Sequence, residues 1–553
     1  MRKAVFGFAV AVVFTLAEVA RAQGPPPFNK FQPNSLVVTR SVYEGTADTV
    51  QVGQLLPPNC PATDFPTNLS YTATVPKTTS GHYSVTVTCS IATNNGAYPY
   101  VFSNDASDGS FAVSAPIFLD NIDSNGHVFG TLAIPPSMIV TSFESKSELA
   151  LNLSTDGKSL TFMGYVNGTG PTGVNQLDIS NSNTPAVIDV TNPDQGQYYR
   201  AVAEVDGSGR VQVTNSNAYS GDNGRAVIKG LGIYYMVGNS NNGGLSKSQL
   251  LGSLDGINLT TSTGAELLVP GQTPPAPPKI TMIGQFAIGQ VIDPATGVDY
   301  TTVDKAGKDN NFRGITIFNN TLYVSKGSGS NGINTVYQVG STGVLPSGDE
   351  TTLQTVPIVP LPGFPTTPAS GTDGGLPTPV IYPFGMWFAN ANTVYVCDEG
   401  DGILEPPAPD GNVAGPEALA SGGVQKWQFN GTSWQMLYVL QNGLNIGVPY
   451  GVAGLPTAFN PATDGCRNLT GTVNHDGTVT IYAVTSTVSG SGDQGADPNR
   501  LVKVTDVLDS LTLPVNNGNA ADPRLAFFQT IKAAGFGEVL RGVAFAPEGE
   551  GRY

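Results

Sequence analysis

The chain has 553 residues, including 67 glycines and 42 prolines, and only 12% of its residues are charged. Its 42 acidic residues outnumber the 26 basic ones, which gives a formal net charge of −16. Nucleic acids and anionic membrane surfaces are bound by clustered Lys and Arg, so this balance argues against both as partners. The hydrophobic content of 40% is sufficient for a large core and argues against global disorder.

Residues 1–22 have the pattern of a secretory signal peptide. Arg2 and Lys3 form a positive start, Ala4–Leu16 is apolar, and Ala20–Ala22 supplies a small-x-small cleavage site before Gln23. A Pro-rich linker, 23–33, follows. No later segment approaches the roughly 18–20 apolar residues that a membrane span needs. We therefore predict a protein that is secreted or located in the periplasm or outside the cell, without a membrane span.

One short unit recurs along the chain and is clearest at Arg541–Gly549. It consists of a basic or small opening residue, an alternating apolar strand and a Gly-containing turn. Copies begin at Arg200, Arg225 and Arg313, and looser copies at Leu149, Phe384 and Arg467. A supersecondary unit repeated in this way is typical of propellers and solenoids. With almost no helical periodicity elsewhere, the pattern predicts an all-β fold, a β-propeller.

The two chain ends complement each other in this repeat. The last copy ends without its remaining strands, whereas 35–43, 115–120 and 127–134 are strands without an opening strand. Pairing them completes one blade and closes the ring, which removes open sheet edges. We thus predict a propeller over 34–553 with seven blades, and an inserted segment, 57–110, within the closing blade.

The segment Thr393–Gly400 resembles the strand-and-turn signature of NHL and YVTN propeller repeats. The arrangement from Leu36 to Pro547 also resembles a family of secreted bacterial propeller proteins without an assigned activity. The resemblance implies the propeller fold. It implies no chemistry, because one propeller scaffold hosts many functions.

The four cysteines allow three pairings. Cys60 and Cys89 lie in one N-terminal segment, and Cys397 and Cys466 lie on successive repeats, so we favour the disulfides 60–89 and 397–466. No Cys-x-x-Cys motif is present, which gives little support to redox catalysis or zinc binding.

Two sets of charged residues are expected on the face where the innermost strands begin. The first comprises the arginines near these strand starts, predicted to bind an anionic ligand: Arg200, Arg225, Arg313, Arg467 and Arg541. The alternative is that each Arg locks neighbouring blades together through backbone carbonyls or acids. The second set is Asp398, Glu399 and Asp401, which could supply oxygen ligands to Ca²⁺ or form a solvated acidic turn.

Conventional catalytic motifs are missing from the sequence. Only three histidines occur, and no nucleophile elbow, Walker or zinc-protease motif is present. The three tryptophans could stack on sugars or fill space between blades. We therefore predict a binding module that takes a glycan, a small anionic ligand or a protein on its loop-rich face. The alternative is an extracellular enzyme, such as a lactonase, hydrolase or polysaccharide lyase, with its site in the central funnel.

Overall fold

The computed structural model describes residues 27–43, 113–146, 148–167, 179–180, 182–185, 196–239, 265–271, 311–327, 333–366, 381–402, 422–490, 495–514 and 525–548. For 55–56, 70–76, 82–88 and 90–91 it describes the backbone. The predicted signal peptide and the predicted disulfide between Cys60 and Cys89 lie outside the described residues. Within the described part, no helix is both long and apolar enough to cross a membrane.

Most of the described strands belong to six antiparallel sheets of three or four strands, which we call blades 1 to 6 and list from the innermost strand outward. Blade 1 contains Glu538–Phe545, Leu36–Val42, Ile117–Ile122 and Val128–Ile134. Blade 2 contains Asn152–Leu153, Ser159–Asn167, Tyr198–Asp206 and Val211–Ser216. Blade 3 contains Gly224–Gly230, Ile233–Gly238 and Ala265–Leu268. Blade 4 contains Gly314–Phe318, Thr321–Lys326, Thr335–Val339 and Ile358–Pro360. Blade 5 contains Pro383–Asn390, Thr393–Asp398, Gly423–Phe429 and Trp434–Leu440. Blade 6 contains Ala462–Val473, Thr478–Val488, Arg500–Val507 and Gln529–Ala533.

Blade 1 joins the two ends of the chain, as predicted. Its innermost strand comes from the C-terminal region and pairs antiparallel with Leu36–Val42, placing Leu36 opposite Phe545 and Val38 opposite Val543. The other edge of Leu36–Val42 pairs with Ile117–Ile122. The ring is therefore closed by backbone hydrogen bonds between distant parts of the sequence.

The described residues form six blades, so the predicted number of seven is not confirmed; two of the predicted units are one sheet. Ser159–Asn167 pairs along its full length with Tyr198–Asp206, so the strands of 149–166 and 200–213 belong to blade 2. Arg200 consequently lies on a third strand and does not open a blade. The long connection between residues 167 and 198 separates two paired strands in sequence and made them look like separate units.

Each pair of neighbouring blades shares one apolar cluster, and these six clusters form a closed circle. They lie between blades 1 and 2, 2 and 3, 3 and 4, 4 and 5, 5 and 6, and 6 and 1. Trp427 and Trp434 belong to the cluster between blades 4 and 5, where Trp427 stacks on Phe364 with 3.8 Å between ring centroids. Neighbouring blades cover the faces of each sheet, which explains why many strands are almost continuously apolar. Trp427 and Trp434 therefore fill space between blades.

Close approach of the innermost strands explains why glycine recurs after the repeated Arg. A Cβ on Gly314 would lie 2.1 Å from the carbonyl oxygen of Phe384 on the next blade. A Cβ on Gly542 would lie 2.4 Å from the backbone nitrogen of Leu151. A larger side chain at either position would therefore push neighbouring blades apart near the axis.

The remaining described elements are small. The predicted insertion contains the hairpin Ser70–Pro76 with His82–Thr88, and Leu55–Leu56 pairs with Ser90–Ile91. Ser114–Ala115 pairs with Thr141–Ser142 beside blade 1. The helix Glu350–Gln354 and the 3₁₀ turn Thr457–Phe459 are the helical elements of the described residues. The limits 57–110 themselves stay a prediction.

Candidate functional site

Residues from all six blades line one cavity on the propeller axis, and four of the side chains around it are cationic. Three are arginines of innermost strands: Arg313 directly precedes its strand, and Arg467 and Arg541 lie within theirs. The fourth comes from the connection between blades 1 and 2. We call these residues the axial cation cluster: Lys146, Arg313, Arg467 and Arg541. The cavity volume is ≈ 10 Å³, about the room that one water molecule requires. Converging innermost strands thus bring four positive charges to a very small space.

Protein groups hold the arginines of the cluster in place. Arg467 Nε lies 3.1 Å from Glu399 Oε2, with both side chains at most 9% exposed. Arg541 Nη2 donates a hydrogen bond to the carbonyl oxygen of Phe143. The Arg313 guanidinium lies over the ring of Phe384, 5.4 Å from its centroid. The cations therefore have defined positions before any ligand arrives.

The charges of the cluster act strongly on one another. Burial lowers the pKa of the Lys146 ammonium, nearby Glu399 raises it, and Arg467 lowers it again. Burial and then the charge of Arg225 lower the pKa of the Arg313 guanidinium well below its ordinary value. A negatively charged ligand would relieve these unfavourable interactions.

Arg225 lies beside the cluster but does not line the cavity. It is on the innermost strand of blade 3, is 5% exposed, and is close enough to Arg313 to affect its pKa. Burial lowers the pKa of Arg225, and Asp222 raises it. Three of the five predicted arginines thus converge on the cavity, and Arg225 is a neighbour of that group.

Arg200 does not line the cavity, and its guanidinium donates hydrogen bonds to backbone carbonyls of blade 2 and of its loops. Its side chain is fully buried, and Nε donates to the carbonyl oxygen of Asp222 at 2.8 Å. Nη2 donates to the carbonyl oxygen of Ser182 at 2.8 Å, and the guanidinium lies 5.2 Å from the ring centroid of Tyr165. The partners are backbone carbonyls, as in the alternative interpretation, but they belong to blade 2 and its loops and do not lock Arg200 to a strand of a neighbouring blade.

The predicted calcium ligands are engaged in protein contacts. Asp398 is fully buried and accepts hydrogen bonds from Tyr382 N, Gly400 N and Gln425 Nε2 at 2.7, 3.0 and 2.7 Å. Glu399 pairs with Arg467, as described above, and Asp401 is partly exposed. Among the described residues, no group of three or more His, Cys, Asp or Glu side chains is arranged to hold a metal ion. The Ca²⁺ prediction therefore gains no support from this turn.

The predicted disulfide between Cys397 and Cys466 is present and borders the site. Cys397 immediately precedes the Asp398–Gly400 turn, and Cys466 immediately precedes Arg467. The bond therefore ties together the two segments that form the Glu399–Arg467 ion pair.

Sequence reasoning missed two charged residues of this region, Lys146 and Asp464. Neither occupies a recurring position of the repeat, so no sequence pattern marks them. Asp464 is 4% exposed, and its Oδ2 accepts a hydrogen bond from Gly402 N at 3.0 Å. Burial, with Asp401 as the next cause, raises the pKa of the Asp464 carboxyl well above its ordinary value.

This raised pKa predicts the pH dependence of stability at Asp464. A carboxyl with a raised pKa contributes stability that is complete below its ordinary pKa of 3.8 and is lost as pH rises through the raised value. We expect Asp464→Asn to raise the free energy of unfolding at pH 7 and to flatten its pH dependence. Urea denaturation between pH 4 and 8 measures this.

The control is Asp476→Asn in an exposed turn, where hydrogen bonds from Thr478 lower the pKa of the carboxyl. This variant should show no such gain at neutral pH. A lower free energy of unfolding for Asp464→Asn at pH 7 would contradict the assignment.

Comparisons with known proteins leave the family open. No protein-family model matches the chain, and no curated protein matches it. Among solved structures, an acylaminoacyl peptidase from Pyrococcus horikoshii has 8% identity and a TM-score of 0.25, covering 84% of this chain and 50% of the peptidase. The chain thus spans half the length of that enzyme.

Two further structures have similar scores. The N-terminal domain of Nup159 has 8% identity and a TM-score of 0.25, covering 73% of this chain and 93% of that domain. A PL25 ulvan lyase bound to a glucuronate-containing saccharide has 11% identity and a TM-score of 0.26, covering 81% of this chain and 93% of the lyase. Similarity at this level carries no argument about function.

Proposed function

We propose that this propeller is a binding module that takes an anionic group of its ligand at the axial cation cluster. The observation that carries the proposal is the convergence of Lys146, Arg313, Arg467 and Arg541 on one cavity. Carboxylates and sulfates accept paired hydrogen bonds from guanidinium groups, and charge-assisted bonds of this kind are strong where water is excluded. The proposed ligand class is therefore a carboxylate or a sulfate.

The size of the cavity limits how such a ligand binds. A volume of ≈ 10 Å³ admits one oxygen atom of the anionic group and excludes the body of a sugar or peptide. Lys146 is partly exposed, whereas the three arginines are at most 7% exposed. We infer that the ligand approaches past Lys146 and leaves its uncharged part among the loops of that face.

The test compares charged and uncharged probes of one shape. Methyl β-glucuronide and inorganic sulfate should bind in titration calorimetry, whereas methyl β-glucoside should bind at least about tenfold more weakly. Lys146→Gln should weaken glucuronide binding by about the same factor, because it removes one of the four positive charges around the cavity.

Arg210→Gln is the matched control, since Arg210 is exposed in the turn after blade 2's third strand and does not line the cavity. It should bind the probes as the unchanged protein does. Equal binding of glucuronide by the Lys146→Gln and unchanged proteins would exclude the axial site.

An extracellular enzyme is the second candidate, supported by the shifted pKa values at the same place. The pKa of Lys146 is lowered and that of Asp464 is raised. Both shifts favour the uncharged form of the group, and shifts of this kind are common for acid and base groups in active sites. A hydrolase, lactonase or polysaccharide lyase acting on an acidic saccharide would use such a pair. Incubation with polyuronides should then yield reducing ends or unsaturated products, and Asp464→Asn should abolish them.

Export of the protein is part of the proposal. It is supported by the signal-like pattern of residues 1–22 and by the Cys397–Cys466 disulfide, since disulfides persist mainly in oxidising compartments. The finer assignment to a secreted bacterial family of NHL or YVTN type is also a hypothesis, supported by the propeller fold.

A further inference from the structure

A second, separate cavity lies between blades 6 and 1, away from the axial cation cluster. Its volume is ≈ 250 Å³. We call it the interblade groove; the lining side chains that matter here are Thr480, Tyr482, Lys503, Thr505, Phe527 and Gln529. None of these was singled out by the sequence.

The groove is one face of the blade 6 sheet. Thr480 lies opposite Thr505, and Tyr482 lies opposite Lys503, which in turn lies opposite Gln529 on the outer strand. Directly opposite residues share a face of a sheet, so their side chains form one continuous row across three strands.

This row is polar at a place where a propeller blade is usually apolar. Further along the same two strands, Val484 lies opposite Leu501, and both pack against Leu36 and Val38 of blade 1. A face covered by a neighbouring blade needs such apolar residues. In the polar row blade 1 covers Tyr482, whose ring contacts Phe545, but it leaves Thr480, Lys503 and Thr505 partly exposed, which agrees with the cavity found there.

Contacts with blade 1 fix the cationic end of the groove. Lys503 Nζ donates to the carbonyl oxygen of Ser124 at 3.0 Å, in the turn between the two outer strands of blade 1. Lys503 Nζ also donates to Asn125 Oδ1 at 3.5 Å. An ammonium has three donors, so one proton remains for a ligand. The threonine hydroxyls and the Gln529 amide add both donors and acceptors along the floor.

An apolar ring borders this polar row. Phe527 lines the groove and is 49% exposed, which is unusual for a phenylalanine. A pyranose also has a polar and an apolar part, because its edge carries hydroxyls while the C–H groups of one face are apolar. Stacking that face on Phe527 would bury apolar surface, and the hydroxyls would meet the polar row.

Other ligand classes fit the groove less well. A phosphate-bearing ligand would find a single cation, Lys503, where phosphate sites usually combine several donors or cations. An apolar ligand would leave the hydroxyls and the amide without hydrogen bonds. A volume of ≈ 250 Å³ lies below the usual range for drug-sized ligands and suits a single sugar ring.

We propose that the interblade groove binds one pyranose ring of a saccharide, stacked on Phe527 and hydrogen-bonded to Lys503, Thr505 and Gln529. This site is independent of the axial cation cluster and stands whether or not that cluster binds anions. A neutral ring and a uronate ring share the required chemistry, and the test separates them.

Saturation-transfer NMR on the full chain tests the groove with methyl glycosides of glucose, galactose and mannose and with methyl β-glucuronide. We expect transfer to the ring protons of at least one of these probes. Phe527→Ala should reduce this transfer at least about fivefold, and Gln529→Leu should do the same. A signal from glucuronide alone that Phe527→Ala reduces and Lys146→Gln does not would identify a uronate ring in the groove, whereas signals from neutral glycosides would identify a neutral one.

Two matched variants serve as controls. Phe536→Ala removes a phenylalanine of nearly equal exposure, 48%, which does not line the groove. Thr530→Val alters the neighbouring residue on the opposite face of the same strand. Both should keep the full signal, as should Lys146→Gln for the neutral glycosides, which separates this site from the axial one.

A second measurement does not depend on variants. Hydrogen exchange of the unchanged protein should slow within 501–507 and 525–531 when the bound glycoside is saturating. The proposal is wrong if none of the glycosides shows saturation transfer, or if Phe527→Ala and Gln529→Leu leave the transfer unchanged.

Discussion

Asp506→Ala is expected to lower the free energy of unfolding by about 3–5 kcal/mol, because it leaves a buried ammonium without its counter-charge. Asp506 Oδ2 lies 3.2 Å from Lys426 Nζ, and neither side chain has any exposed surface. Asp506 also accepts hydrogen bonds from the hydroxyls of Tyr395 and Tyr438 at 2.6 and 3.0 Å. Burial, with Asp506 as the next cause, raises the pKa of both tyrosines.

This network fastens blade 5 to blade 6. Lys426, Tyr395 and Tyr438 are on three strands of blade 5, whereas Asp506 is on the third strand of blade 6. Lys426 Nζ also donates to the carbonyl oxygens of Val507 and Ser510 at 2.7 and 3.0 Å. Removing the carboxylate would therefore disturb the interface as well as the ion pair.

Urea or guanidinium denaturation measures this effect, with Glu538→Gln as the control. Glu538 pairs with Arg40 at 2.6 Å, but its side chain is 31% exposed, so the loss should be below about 1 kcal/mol. The double variant Lys426→Met/Asp506→Leu should recover most of the lost stability, because it leaves no buried charge unpaired. Similar losses for Asp506→Ala and Glu538→Gln would refute the importance of the buried pair.

Removing the Cys397–Cys466 disulfide is expected to cost about 2–4 kcal/mol of unfolding free energy, because the unfolded chain regains the freedom of a long loop. The two cysteines are 69 residues apart in sequence and join the second strand of blade 5 to the innermost strand of blade 6. We expect Cys397→Ala/Cys466→Ala to fold into the same propeller with a lower midpoint of denaturation.

The same variant should weaken binding at the axial cation cluster. Cys397 lies two residues before Glu399 and Cys466 directly precedes Arg467, so loss of the disulfide frees the segments that hold this ion pair in place. Glucuronide titration and denaturation, each with and without a reducing agent, measure the two effects. If reduction changed neither quantity in the unchanged protein while thiol labelling showed the bond to be broken, the clamping role would be refuted.

Local sequence patterns were sufficient to predict the propeller fold, but they assigned the strand of Arg200 to the start of a blade. The Arg-Ala-Val sequence occurs at both Arg200 and Arg225, yet Arg225 lies on an innermost strand and Arg200 on a third strand. The strand that carries Arg200 and the strand that carries Arg225 are both buried on both faces, so a third strand and a first strand have the same apolar pattern. Only the pairing of Tyr165 with Arg200 distinguishes the two cases.

The repeat pattern predicted part of the candidate site. Arg313, Arg467 and Arg541 occupy equivalent repeat positions, so the symmetry of the ring was enough to bring them together. Lys146 reaches the cavity from the connection between blades 1 and 2, and Asp464 lies on the innermost strand of blade 6 three residues before Arg467. Neither is at a recurring position of the repeat, so no local pattern marks them. The polar face around Lys503 could not be predicted either, because the alternation of side chains along a strand does not show which part of a blade the neighbouring blade covers.

The sequence by itself determined the all-β propeller class, the pairing of the two chain ends and the Cys397–Cys466 bond, since each follows from periodicity or from the order of the repeats. The tertiary structure alone decided the number of blades in the described chain, the members of the axial cation cluster and the interblade groove. Those features depend on which strands hydrogen-bond and which surfaces neighbouring blades cover, and these are contacts between residues far apart in sequence.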